Sequence, residues 1–148
     1  MKRSPSLKPL GAAPKSSSPR VRKSMLSNKA KGTKPELSLR RALRQNKVRE
    51  FRCNIKNLPG RPDICFPEDK IAVFINGCFW HRCPYCRLNL PKKNRAFWRL
   101  KFLRNRRRDQ KKLRAMKALG WRTLTIWECR LRKKKGSQVE KVVSSLER

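Results

Sequence analysis

The sequence predicts a small mixed α/β domain behind a basic arm. Three observations lead there. Apolar periodicity runs in the order helix, two strands, helix, strand, helix. The chain of 148 residues suits one domain with tails. Hydrophobic residues make up 37% and aromatics 7%, enough for one modest core and no more.

Residues 1–30 are rich in Ser, Pro and Lys/Arg and poor in large apolar side chains. Such a segment buries too little surface to offset its ordering entropy, so a disordered basic arm is expected. It reads as an electrostatic tether to phosphates, or as a solubilising tail or targeting peptide. The domain is expected over 31–148. Thr33-Lys34-Pro35-Glu36 is a capping box, with Thr33 as N-cap and Glu36 reaching back. Leu37, Ala42 and Leu43 give the following helix, ending near Lys47, a partial apolar stripe. Leu58-Pro59-Gly60-Arg61-Pro62 breaks the chain into a loop. Apolar runs at 63–66 and 71–75 flank Pro67-Glu68-Asp69-Lys70, which reads as a hairpin turn. A long basic helix is expected from Asn94 to Leu119, with Gly120 at its C-terminal cap. A strand follows over 121–127, with Leu124 and Ile126 on one face. Val139, Val142, Val143 and Leu146 mark a short terminal helix.

Charge narrows the partners. Lys and Arg number 42 against 9 Asp and Glu, for a net charge of +33. That surplus calls for a polyanion, most simply nucleic acid. No apolar run is long enough to span a membrane. The basic N-terminus lacks the apolar core of a secretory signal, so an intracellular, DNA-associated protein is expected, in cytoplasm or nucleoid if bacterial. Without export, the six cysteines read as metal ligands or thiols rather than disulfides. Cys78, Cys83 and Cys86 crowd together, and Cys129 adds a fourth thiolate downstream. Four sulfurs complete a tetrahedral Zn²⁺ site, with His81 able to replace one of them. Cys53 and Cys65 read as ordinary half-buried thiols.

With so few acids, a divalent-metal carboxylate has few sources. Asp63 heads an apolar strand just after Pro62, where a carboxylate is held rigidly, as Mg²⁺ sites require. Asp109 follows Arg106-Arg107-Arg108 and reads equally as a local ion pair. Glu36 is accounted for as a cap. His81, the one histidine, could act as a general base or acid, ligate zinc, or lie on the surface.

GRPD (60–63), GCFWH (77–81), FW (97–98), RNRRRD (104–109) and GWRTLTIWEC (120–129) closely resemble the very short patch repair (Vsr) endonucleases. The resemblance begins near Met25, takes in TKPELSLRRAL (33–43) and ends near Leu131. It implies a restriction-endonuclease-like fold, a central mixed sheet flanked by helices with a structural zinc. It implies an enzyme that uses Mg²⁺ to nick DNA 5′ to the thymine of a T:G mismatch. By motif, Asp63 resembles the metal-bridging aspartate and the Ile75 main-chain carbonyl a second Mg²⁺ contact. His81 resembles the active-site histidine, Asp109 its supporting acid, and Glu36 a glutamate near the site. Phe79, Trp80 and Trp98 match aromatic wedges that enter the base stack, although core packing would also account for the tryptophans. Cys78, Cys83, Cys86 and Cys129 occupy the zinc region. A monomer acting on double-stranded DNA is expected, with mismatch-repair proteins as candidate partners.

The chain departs from the family pattern in three places. Ile75-Asn76 stands where many members have Thr-His or Val-His, which leaves only a main-chain metal contact at 75. His81-Arg82-Cys83-Pro84-Tyr85-Cys86 replaces a more His-rich segment. The basic surplus is larger than usual. Two alternatives remain at this stage: a related zinc-containing nuclease of other specificity, and a catalytically silent basic DNA-binding protein.

Overall fold

The structure is a computed structural model that describes residues 6–28 and 30–147. Residues 1–5 and 29 of the expected arm lie outside the described residues. The rest of that arm is not uniformly irregular. Pro19–Leu26 forms helix α1, started by Ser18, whose side chain accepts from the Val21 N–H, and by Pro19 in the first turn. None of its residues is buried. Helix α1 lies within the expected arm and is held by its local cap alone.

Helix α2 spans Lys34–Gln45 and starts at the capping box as expected. Thr33 Oγ1 accepts from the Glu36 N–H at 3.4 Å, and Glu36 Oε2 accepts from the Gly32 N–H at 2.8 Å. Strands β1 (Ile64–Phe66) and β2 (Ile71–Asn76) form the hairpin, paired antiparallel with Ile64 opposite Val73. Helix α3 (Arg95–Ala118) crosses over to β3 (Arg122–Trp127), which pairs parallel to β2 with Ile71 opposite Arg122. Gly120, at φ +78°, makes the left-handed exit from α3. Helix α4 (Glu128–Lys133) and helix α5 (Lys135–Leu146) complete the chain. The sheet is therefore mixed, in the order β1-β2-β3.

Strand β2 is covered on both faces, which is why its run reads apolar throughout rather than alternating. On one side Ile71 and Val73 join Leu39 and Leu43 of α2, Ile126 of β3, Leu131 of α4, and Val139 and Val142 of α5. On the other, Ala72 and Phe74 meet Met116 of α3, with Leu113 and Trp121 packed beside them. Leu124 and Ile126 share the first side, as their spacing predicts. Helix α4 was not anticipated. Its six residues offer only Cys129 and Leu131 to the interior, too few to show a period.

Candidate active site and metal cluster

The GRPD turn leads into the sheet at Asp63. Gly60 has φ +72°, and a Cβ there would lie 2.7 Å from Lys112 Cδ, so only glycine lets the turn lie against α3. Extending the β1–β2 register by two residues would set Pro62 opposite Ile75, and proline has no N–H to donate. Strand β1 begins only at Ile64, and the Ile75 N–H donates to Asp63 Oδ2 at 2.6 Å. A strand residue directs its N–H and C=O to the same edge, so the Ile75 carbonyl lies on the side of the Asp63 carboxylate. Burial pushes the Asp63 carboxyl up to about 6; the Ile75 N–H pulls the other way, Glu36 adds to the rise, and Lys112 and Arg40 oppose it. Lys112 and Arg40 do not offset the burial, and a bound cation would favour the ionised carboxylate further.

Glu36 is 4% exposed and sits close to this acid. Arg40 joins the two: its Nη2 donates to Glu36 Oε2 at 3.2 Å and to the Asp63 main-chain carbonyl at 3.4 Å. The cap of α2 and the main chain at Asp63 are thus joined through Glu36 and Arg40.

His81 and Asp109 come together from the loop after β2 and from the middle of α3. His81 Nδ1 lies 2.5 Å from Asp109 Oδ2, and Lys112 Nζ lies 2.9 Å from Asp109 Oδ1. Burial opposes ionisation of Asp109, yet the hydrogen bonds from His81 and Lys112 outweigh it and hold the carboxyl below its ordinary range. Tied through Nδ1, the ring has Nε2 left to exchange a proton. The charge of Lys112 also pulls the Asp63 carboxyl down, by less than burial raises it.

Phe79, Trp80 and Trp98 form one aromatic group, half-buried and resting on Phe102, which is 5% exposed. Phe79 meets Trp80, Trp98 and Phe102 edge-on at centroid distances of 5.1, 5.4 and 5.2 Å. Asn105 Nδ2 donates to the Trp80 carbonyl at 3.0 Å and ties the loop to α3. Each of the three rings keeps part of its surface exposed.

The Sγ atoms of Cys78, Cys83, Cys86 and Cys129 all lie within 4.8 Å of one another, and Cys83 and Cys129 are 3.6 Å apart. Zinc–sulfur bonds of about 2.3 Å in a tetrahedron place sulfurs about 3.8 Å apart, so the quartet fits such an ion. Cys83 is held below the usual thiol range: burial opposes, but the N–H groups of Cys86 and Tyr85 and the thiols of Cys129 and Cys78 prevail. Burial raises Cys78 and Cys129. His81 turns its Nδ1 to Asp109, and the four thiols form the cluster without it. Cys53 and Cys65 stand apart from that cluster; burial raises both, Cys65 to about 12.

Lys112, Asn105 and Glu128, which accepts from the Cys78 N–H at 3.4 Å, escaped the sequence reading. Lys112 alone had a signal, its place three residues after Asp109 on a helix. Within a run of cations it looks like any other.

The family model "DNA mismatch endonuclease Vsr" matches residues 16–87. A Type II nicking enzyme, V.XorIIP of Xanthomonas oryzae pv. oryzae, is 43% identical over 104 residues, covering 70% of this chain and 75% of its own. This chain belongs to the Vsr family. V.NmeDIP of Neisseria meningitidis serogroup C, a Type II nicking enzyme, is 42% identical over 107 residues, 72% of each chain. DNA mismatch endonuclease Vsr of Escherichia coli K12 is 36% identical over 97 residues, 66% of this chain and 62% of that one. As a Vsr-family member the protein is a DNA endonuclease, a hydrolase that nicks DNA. The catalytically silent alternative is set aside. No helix among the described residues is long and apolar enough to cross a membrane.

Proposed function

We propose that the protein uses Mg²⁺ to nick double-stranded DNA 5′ to the thymine of a T:G mismatch, acting as a monomer. The observation that supports this reading is geometric: His81 Nδ1 meets Asp109 Oδ2, Lys112 holds the other carboxylate oxygen, and the Lys112 stem packs on the Gly60 turn that leads to Asp63. Asp63 and the Ile75 carbonyl would hold Mg²⁺, with phosphate oxygens and water completing its shell. When bound, the ion neutralises charge on the scissile phosphate. Asp109 fixes the His81 ring through Nδ1, and His81 Nε2 acts as general base or acid on the attacking water or the departing oxygen. Glu36 and Arg40 hold the Asp63 backbone in place. Phe79, Trp80 and Trp98 would enter the base stack at the mispair, where stacking is already weakened and distortion costs least. The four cysteines would carry a structural Zn²⁺ that ties the His81 loop to the end of β3. We assign the mixed sheet with its flanking helices to the restriction-endonuclease-like class, and the stretch before α2 to a DNA-facing arm. Mismatch-repair proteins are the natural recipients of the nicked product.

The names of the relatives favour a second reading, a nicking enzyme of another target. Strand-specific cleavage of duplexes carrying each mismatch, beside a matched duplex, with and without Mg²⁺, decides between the two. The proposal expects a nick 5′ to the mispaired thymine only with Mg²⁺. Equal cutting of matched duplex would overturn the mismatch assignment, and full nicking without divalent metal would overturn the Mg²⁺ assignment.

A further inference from the structure

Lys112 lies in the basic stretch of α3, where a lysine paired three residues back would ordinarily be a solvated ion pair of little consequence. Three contacts set it apart. Its side chain is 15% exposed, and its Nζ is 2.9 Å from Asp109 Oδ1. The same Nζ lies 4.5 Å over the ring of Phe74, the residue before Ile75 on β2. Its stem fills the space that a Cβ on Gly60 would occupy, with Lys112 Cδ, Cβ and Cγ at 2.7, 3.0 and 3.1 Å from that point. One side chain thus touches the helix that carries Asp109, the strand that carries Ile75, and the turn that delivers Asp63.

We propose that Lys112 is a positioning residue for the nicking reaction: its ammonium fixes the Asp109 carboxylate against His81, and its stem sets the Gly60–Asp63 turn against α3. This rests on the assignment of His81 and Asp109 to the reaction. The geometry accounts for each part. A carboxylate with both oxygens engaged, one by His81 and one by Lys112, cannot rotate without breaking a charge-assisted bond. Held so, Asp109 selects the His81 tautomer protonated at Nδ1 and leaves Nε2 free. Without the ammonium, Asp109 could turn toward Arg or Lys neighbours in its own run, and the ring would lose its anchor. The tight fit at Gly60 couples that anchor to the position of Asp63.

His81 is the one histidine of the chain, so its imidazole nitrogens give an unambiguous NMR signal in the full-length protein. In ¹⁵N-labelled protein the ring is expected as the Nδ1–H tautomer. Lys112→Met, which keeps the stem and removes the charge, is expected to relax it to a mixture of tautomers. The same variant should lower kcat by roughly 10–100-fold, the range found when a supporting partner of a site residue is removed. KM for DNA should change much less. Lys112→Arg should restore the Nδ1–H tautomer and most of kcat. In an Asp109→Asn background, Lys112→Met should cost little more, because both act through one carboxylate. If Lys112→Met does not fold, Lys112→Gln supplies the same comparison. An unchanged tautomer in the charge-removing variant would overturn the proposal, whatever happens to kcat, and so would an undiminished kcat loss in the Asp109→Asn background. The tautomer readout needs no cleavage, so it distinguishes a failure here from a failure of the mismatch reading.

Discussion

Asp63 is a carboxyl whose burial sets how stability depends on pH. Its folded carboxyl is pushed up to about 6 from an ordinary 3.8, chiefly by burial. The folded chain therefore keeps a proton that the unfolded chain releases between about pH 4 and 6. Stability without divalent metal should fall as pH rises through that window, by about 3 kcal/mol. Asp109 works in the opposite sense and in a more acid range: its carboxyl is lowered, so its contribution is lost only as pH falls below the ordinary value. Asp63→Asn should flatten the fall above pH 4 and leave a protein more stable at neutral pH, unable to nick but still able to bind DNA. Urea unfolding at a series of pH values in Mg²⁺-free buffer, beside a cleavage and a binding assay, checks all three. A variant that still nicks would remove Asp63 from the reaction. The place of Asp63 at the head of β1 was legible in advance because Pro62 and the apolar strand frame it. Lys112 was not, because its role depends on Gly60 and Phe74, which sequence spacing does not bring near it.

At the scale of elements, the loop from Gly77 to Arg87 brings three kinds of side chain into one short stretch: three of the four clustered thiols, the histidine, and Phe79 and Trp80 of the aromatic group. Cys129 closes the cluster from the start of α4, so metal binding would lock this loop to β3. Cys83→Ser should reduce zinc content and lower stability by several kcal/mol, less than the roughly 10–16 kcal/mol found where metal supplies a whole small fold. Metal analysis and thermal melts measure both, and unchanged zinc with unchanged stability would show the cluster to be idle. Trp80→Ala should weaken discrimination of T:G from matched duplex more than it weakens overall DNA affinity. An equal loss on both duplexes would assign Trp80 to packing on Phe79 and Trp98. Regular elements were readable where capping and period coincide, as in α2 and β3. α1 was hidden because it buries nothing, and α4 because six residues carry no period.

For the whole molecule, the excess of +33 governs how the enzyme meets its substrate. Duplex affinity should fall with added salt at a log–log slope of about −0.9 per phosphate neutralised. Six to ten such contacts would cost roughly 10³–10⁵ in affinity between 50 and 200 mM salt. Removing residues 1–18 should make that slope shallower while leaving the rate at saturating DNA unchanged. Titrations at four salt concentrations measure the slope, and an identical slope after truncation would make the arm a spectator. The order of the chain adds one more consequence. Strand β3 and Cys129 come late, separated from β2 by residues 77–121, yet the parallel pair and the four-thiol cluster need both. A chain cut anywhere between 77 and 121 should therefore lose the parallel pair and the quartet together.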